Sequence, residues 1–214
     1  MKTVVFITRH SESFRNFIDN YNVLEKEQVR NEKVCLSVNG EVKAKELSEY
    51  DELKNIDVIY SSHYVRAMST AKYIADVNKL KLNVDSRFGE RKFGVDDLKK
   101  LPKNFEFRQL EDWNYRLFFG ESLNQVKRRI TKSFIEVLNN NPGKNIVIVS
   151  HATAMLALFE NWCRIKINYS SELAEVYYKN KLIFDGNWSA PELFRLEFEE
   201  NRLISITNVK KSNE

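Results

Sequence analysis

Apolar positions along the chain fall into short continuous runs separated by longer stretches with helical spacing. Val4-Val5-Phe6-Ile7-Thr8 is β-branched and aromatic and reads as a strand buried on both faces. Val58-Ile59-Tyr60 and Asn145-Ile146-Val147-Ile148-Val149 read the same way, and Leu82-Asn83-Val84-Asp85 is a further extended segment. Between these runs the period changes. Glu41 to Tyr50 reads as a helix capped by Ser37, with Val42 and Leu47 inward. Val65, Met68, Ala71 and Ile74 recur at spacings of three and predict a second helix. Leu123, Val126, Ile130, Phe134, Val137 and Leu138 mark one face of a third, started by a Ser122/Gln125 capping box and stopped at Asn139-Asn140-Asn141-Pro142-Gly143. Met155, Leu158, Phe159 and Trp162 follow the last buried run as a fourth helix. Near the end, Leu193-Phe194-Arg195-Leu196-Glu197-Phe198 and Leu203-Ile204-Ser205-Ile206 alternate and predict an antiparallel hairpin.

Buried strands alternating with amphipathic helices predict an α/β fold: a three-layer α/β/α sandwich, with a mostly parallel sheet and an antiparallel C-terminal edge. No repeat, low-complexity tract or linker interrupts the pattern, so residues 1–214 read as one domain.

Composition narrows the class. The 214 residues are 43% apolar and 30% charged, as in a soluble globular protein with a sizeable core. No apolar run approaches the roughly 20 residues that span a bilayer. Met1-Lys2-Thr3 leads straight into the first strand without the succession of a secretory leader, so the expected location is cytoplasmic, with no membrane partner. Cys35 and Cys163 have neither metal-type nor redox-type spacing. The net charge of +4 favours anionic small molecules without demanding nucleic acid.

The candidate chemistry sits where the buried runs end. Arg9-His10 and Ser150-His151 each follow a strand, the place where open α/β sheets hold ligands. Arg66 falls in the first turn of a helix, where its charge and fork geometry act together with free backbone N–H groups on an anion. Glu90 stands between a strand and two cations, Arg91 and Lys92. The charged, aromatic stretch 95–119 is either a lid or a helical excursion packed on the core. His63, in a loop, reads as a half-exposed structural residue.

Arg9-His10-Ser11-Glu12-Ser13, followed at a short interval by Asn16, resembles the first signature of the histidine phosphatase superfamily, also called the phosphoglycerate mutase-like family. There a strand ends in Arg-His-Gly-Glu-Ser/Thr. Leu36-Ser37-Val38-Asn39-Gly40 and its helix, Ser62-His63-Tyr64-Val65-Arg66-Ala67-Met68-Ser69-Thr70-Ala71, Glu90-Arg91 and Ser150-His151 resemble its further segments in order. The departures are Ser11 and Ala152, where the family has Gly.

The resemblance implies a phosphoglycerate mutase-like fold and a two-step phosphoryl transfer. His10 is the nucleophile and Glu90 the proton donor, while Arg9, Arg66 and His151 stabilise charge. It also implies substrate contacts from Asn16, Ser11, Ala152, Arg91 and Arg116, and no metal or cofactor. The expected substrate is a small phosphorylated metabolite or a phosphoprotein, and the expected assembly a monomer or homodimer. A phosphoglycerate mutase-type phosphotransferase is the alternative within the family. A phospho-ligand binding module without turnover is the alternative outside it. A nucleic-acid binder, the weakest alternative, rests on the pI of about 8.9 and the basic, aromatic 100–118 stretch.

Overall fold

The computed structural model describes residues 1–14 and 26–209. The N-terminal apolar run forms β1 (Lys2–Arg9), an inner strand flanked on one side by β4 (Asn145–Ser150) and on the other by β8 (Glu192–Glu199). Beyond β4 lie β2 (Val58–Ser61) and β3 (Leu82–Val84), and beyond β8 lies β9 (Arg202–Val209), giving the order β3-β2-β4-β1-β8-β9. The first four strands of that order are parallel, and β8 and β9 form the antiparallel edge.

Alternation along the inner strands divides the core between two faces. Val5, Ile7, Ile146 and Ile148 meet α5 (Leu123–Asn140) and α6 (Ala152–Phe159) through Val126, Ile130, Phe134 and Met155. Phe6, Ile59, Val147 and Val149 meet α2 (Val38–Ser48) and α3 (Val65–Asn78) through Leu47, Ala67, Ala71 and Ile74. Helices therefore cover both faces, and the layers are those expected from the pattern.

Two inward assignments need correction. Val42 is 52% exposed; of the expected pair only Leu47 is buried, and Ala44 joins it on the inner face of α2. In α3 the buried face is Arg66, Ala67, Thr70, Ala71, Ile74 and Ala75, while Val65 and Met68 are half-buried. A spacing of three rotates the side chain back by about 60° per step, so it drifts off any one face; the observed stripe uses mixed steps of three and four.

A second sheet was not anticipated from the sequence. β5 (Arg164–Asn168), β6 (Leu173–Tyr178) and β7 (Lys181–Phe184) form an antiparallel trio after α6. Ala174, Val176 and Phe184 join the core, and Phe184 meets Phe194 at 5.4 Å between ring centres. The β6–β7 turn is made by Lys179 and Asn180, both at positive φ, as a tight hairpin turn requires. The remaining α-helices among the described residues are α1 (Glu27–Lys33) and α4 (Phe105–Glu111). The latter lies in the 95–119 stretch and buries Phe105 and Gln109.

The register between β1 and β4 positions the site. Arg9 lies opposite Ser150, and the His10 amide donates to the Ser150 carbonyl at 3.0 Å. His10 and His151 therefore leave adjacent parallel strands at the same level. On the other side of β4, Ser61 lies opposite Val149 and hands the chain to Ser62, at the same sheet edge.

Candidate active site

His10 Nδ1 lies 2.6 Å from the Ser11 carbonyl, and Arg66 Nε lies 3.0 Å from His10 Nε2. A guanidinium can only donate, so Nε2 accepts and Nδ1 carries the proton toward the carbonyl. The imidazole is buried, and burial followed by the charge of Arg66 holds its pKa well below the ordinary histidine value. It is an uncharged ring with its outer lone pair facing a cation.

His151 packs edge-on against it, with ring centres 5.0 Å apart, and is fully buried. Its Nε2 is 2.8 Å from Ser62 Oγ, while Nδ1 is buried without a hydrogen-bond partner among the described residues. Burial, then the charge of Arg66, push its pKa well below the ordinary value.

Arg66 is 6% exposed. Its Nη1 donates to the Asn31 carbonyl at 2.6 Å, and the guanidinium lies 4.7 Å above the Tyr64 ring. Among the described residues no carboxylate forms an ion pair with it. A buried cation held by neutral acceptors alone is costly unless an anion joins it. Tyr64 in turn lies 4.5 Å from the His151 ring, accepts from Gln28, and has its hydroxyl pushed up to about 12, chiefly by burial.

Arg9 reaches across the sheet edge, where Nη1 donates to the carbonyls of Trp188 and Ser189 at 3.0 Å each. Its charge still acts on both His10 and Arg66.

Glu90 sits on the first turn of α6, immediately beyond His151. Oε1 accepts from the Ala154 amide at 3.1 Å and the Arg91 amide at 2.8 Å, and Oε2 accepts from Thr153 at 3.3 Å. A residue the sequence reading missed holds this loop. Arg129, on α5, donates to the carbonyls of Arg87, Gly89 and Glu90 and to both oxygens of Glu121, all at 2.8–3.0 Å. Its sequence signal was a cation three residues after Val126, beside the apolar stripe.

The first signature is braced from behind. Glu12 accepts from Ser37 Oγ, Asn39 Nδ2 and Lys43 Nζ at 2.7–2.9 Å, which brings its carboxyl down to about 2. Gly40 lies so close that an added Cβ would stand 1.9 Å from the Glu12 carbonyl oxygen. The Ser11 hydroxyl donates to the Gly40 carbonyl at 2.7 Å and its amide to Thr70 Oγ1 at 2.9 Å, so this side chain is turned into the scaffold.

The structure thus gathers His10, His151, Arg66, Arg9 and Glu90 at one end of the sheet. Ala152 is the half-buried first residue of α6, next to them. Asn16 lies outside the described residues. Arg91 and Arg116 are not brought to the histidine pair. The guanidinium of Arg91 is buried between Phe93 and Phe105 and bonded to Gln109 and Glu106, committing its charge to α4. Arg116 is exposed and donates to the Phe118 carbonyl. Among the described residues no group of three or more His, Cys, Asp or Glu is arranged to hold a metal ion. No helix there is long and apolar enough to cross a membrane.

Two uncharged imidazoles and a buried guanidinium at the carboxyl end of a parallel sheet define an α/β enzyme suited to an anionic substrate. Residues 5–176 match the family model of the histidine phosphatase superfamily (branch 1), and the chain belongs to that superfamily as a phosphatase. It is 28% identical over 162 residues to phosphoserine phosphatase 1 of Hydrogenobacter thermophilus, covering 72% of this chain and 74% of that one. It is likewise 28% identical over 156 residues to the uncharacterized phosphatase PhoE of Bacillus subtilis, covering 73% and 75%. Among solved structures, a mycobacterial glucosyl-3-phosphoglycerate phosphatase superposes with a TM-score of 0.69 at 18% identity, over 98% of this chain and 100% of that one. A phosphoserine phosphatase of Entamoeba histolytica in complex with phosphoserine gives 0.62 at 19%, over 96% of each.

Proposed function

We propose that the chain hydrolyses a phosphomonoester without a metal ion, through a phosphohistidine formed on His10. The observation that carries this reading is the Arg66–His10 pair, in which a neutral imidazole anchored through Nδ1 meets a buried guanidinium through Nε2. Nε2 attacks phosphorus and the ester oxygen leaves on the opposite side. Arg66, Arg9 and an N–H of His151 stabilise charge on the equatorial oxygens, the main requirement of phosphoryl transfer. Glu90, as the acid, gives a proton to the departing alkoxide; as the carboxylate, it then takes one from the water that attacks the phosphohistidine. Phosphate leaves, and His10 is neutral again.

Two relatives, named as phosphatases of phosphoserine and of glucosyl-3-phosphoglycerate, support a small phosphorylated molecule as substrate. The test is phosphate release from a panel of phosphomonoesters in the presence of a chelator, for wild type and His10→Ala, together with trapping of an acid-labile, alkali-stable phosphoenzyme. Release and trapping that both vanish in the variant are expected. Phosphoryl transfer to a second alcohol without free phosphate would replace hydrolysis by a mutase reaction. Release that persists in His10→Ala would overturn the assignment of the nucleophile.

A further inference from the structure

Tyr64 is 1% exposed and stands two residues before Arg66, yet the mechanism above gives it no role. Its ring centre lies 4.5 Å from that of His151 and 4.7 Å from the Arg66 guanidinium carbon. Two contacts locate the hydroxyl end of the ring. A Cβ added at Gly89 would stand 3.3 Å from Tyr64 Cε2, one of the two carbons beside the one that carries the hydroxyl. This end therefore runs along the step from Gly89 to Glu90, and the charge of Glu90 acts on it. From the α1 side, Gln28 Nε2 reaches the hydroxyl oxygen at 2.8 Å.

Hydrogen-bond accounting fixes the direction of these bonds. Gln28 Nε2 also lies 2.7 Å from Glu32 Oε1, and a carboxylate accepts. The amide nitrogen has two hydrogens, one for each oxygen. The Tyr64 oxygen therefore accepts from Gln28, and its own proton has no acceptor among the described residues. Burial pushes the hydroxyl up to about 12, so the proton stays on it at neutral pH. A buried donor without an acceptor is unfavourable until one arrives.

We infer that the Tyr64 hydroxyl is a further catalytic residue, which donates a hydrogen bond to an equatorial oxygen of the bound phosphoryl group. This rests on the phosphatase reading above. The two site groups that its ring touches, Arg66 and His151, are those that hold equatorial oxygens in that mechanism. The Tyr64 proton is not transferred, so the same bond serves both the attack of His10 on the ester and the attack of water on the phosphohistidine.

Tyr64→Phe removes the hydroxyl and keeps the ring against Arg66 and His151. Its kcat/KM is expected to fall about tenfold to a hundredfold, the size of one hydrogen bond to a charged oxygen, and by the same factor for an alkyl and an aryl phosphate. Calorimetric affinity for inorganic phosphate is expected to fall with it. Gln28→Leu removes only the group from which the oxygen accepts, and is expected to stay within a few-fold of wild type in all three measurements. Equal losses in the two variants would make the hydroxyl an anchor for α1 and overturn the proposal. So would unchanged rates and phosphate affinity in Tyr64→Phe, and a loss confined to the alkyl ester would place the bond on the ester oxygen instead. Should Tyr64→Phe fail to fold, proton resonances of wild type decide: the Tyr64 hydroxyl proton is expected to move downfield when phosphate binds, and a resonance left in place overturns the proposal. If wild type binds phosphate but hydrolyses neither ester, the phosphatase reading fails, and the phosphate affinities of the two variants decide Tyr64 alone. A wild type that binds no phosphate overturns both.

Discussion

Arg66 Nε donates to His10 Nε2 over 3.0 Å, so the atom that attacks phosphorus in the proposed mechanism is the atom the guanidinium already holds. The contact keeps His10 uncharged and aimed; in the proposed mechanism an arriving phosphoryl group takes over the interaction by offering Arg66 its oxygens.

Removing this guanidinium is expected to lower kcat/KM by about a hundredfold to a thousandfold, the loss typical of one preorganised donor. It also removes one of the influences that depress the His10 pKa, second after burial. The acid limb of the pH–rate profile in Arg66→Gln is therefore expected to lie at higher pH than in wild type. A limb that stays in place would show that His10 does not set it.

The two depressed histidines make stability depend on pH in one direction. Each binds its proton more readily unfolded than folded, so their contribution is complete above about pH 6.5 and is lost as the pH falls toward their folded-state values. Denaturant midpoints measured from pH 7.5 to 5 are expected to fall, and to fall less steeply in His10→Asn/His151→Asn, whatever that variant's stability at neutral pH.

Glu90→Gln keeps an amide oxygen to accept from the first turn of α6 but cannot give the proton. Hydrolysis of an alkyl phosphate is expected to slow by about a hundredfold to ten-thousandfold, and of an aryl phosphate, whose leaving group needs less help, much less. Equal slowing of both would exclude Glu90 as the proton donor.

Arg129 ties three carbonyls of the 87–90 loop to Glu121. Burial alone would raise the Glu121 carboxyl, but hydrogen bonding and charge from Arg129 bring it below its ordinary value. Arg129→Met is expected to cost at least about 2 kcal/mol of stability, as charge-assisted bonds to the loop are lost. Its kcat should drop while KM changes little, because the loop carries Glu90. A stability loss without any kcat effect would leave Arg129 a scaffold residue only.

Gly40 and Ser11 form a contrasting pair. Gly40→Ala puts a methyl group into the Glu12 carbonyl and is expected to cost about 1–3 kcal/mol and to disturb the adjoining Arg9-His10 turn. Ser11→Gly removes one buried hydrogen bond and is expected to cost about 1 kcal/mol, with activity within a few-fold of wild type. A severe kinetic defect in Ser11→Gly would show that its hydroxyl matters to substrate.

The layers of the fold were legible because β1 and β4 are continuous apolar runs and α5 carries a broad apolar stripe behind a complete capping box. β5 to β7 escaped because they are short and half-exposed: the alternation in β5 spans only Ile165 and Ile167, and β6 and β7 are too brief for their apolar residues to mark a period. The candidate histidines were visible as residues at strand ends, but not their adjacency, which depends on the pairing of Arg9 with Ser150. Arg129 and Gly40 act across contacts distant in sequence, so neither the cation beside the α5 stripe nor the Gly of the Leu36–Gly40 segment discloses its partner. Arg91 was read from its neighbour Glu90, yet the chain turns its side chain into the aromatic layer of Phe93 and Phe105.

The pairing of Arg9 with Ser150 also acts as a clock. His10 and its partner imidazole come from opposite ends of the folding problem, one beside the first strand and one after the last parallel strand. Helices can form locally long before these strands meet, since closing such a long loop is slow. A refolding chain will therefore regain its far-ultraviolet signal first and its turnover later, at the moment the central sheet closes.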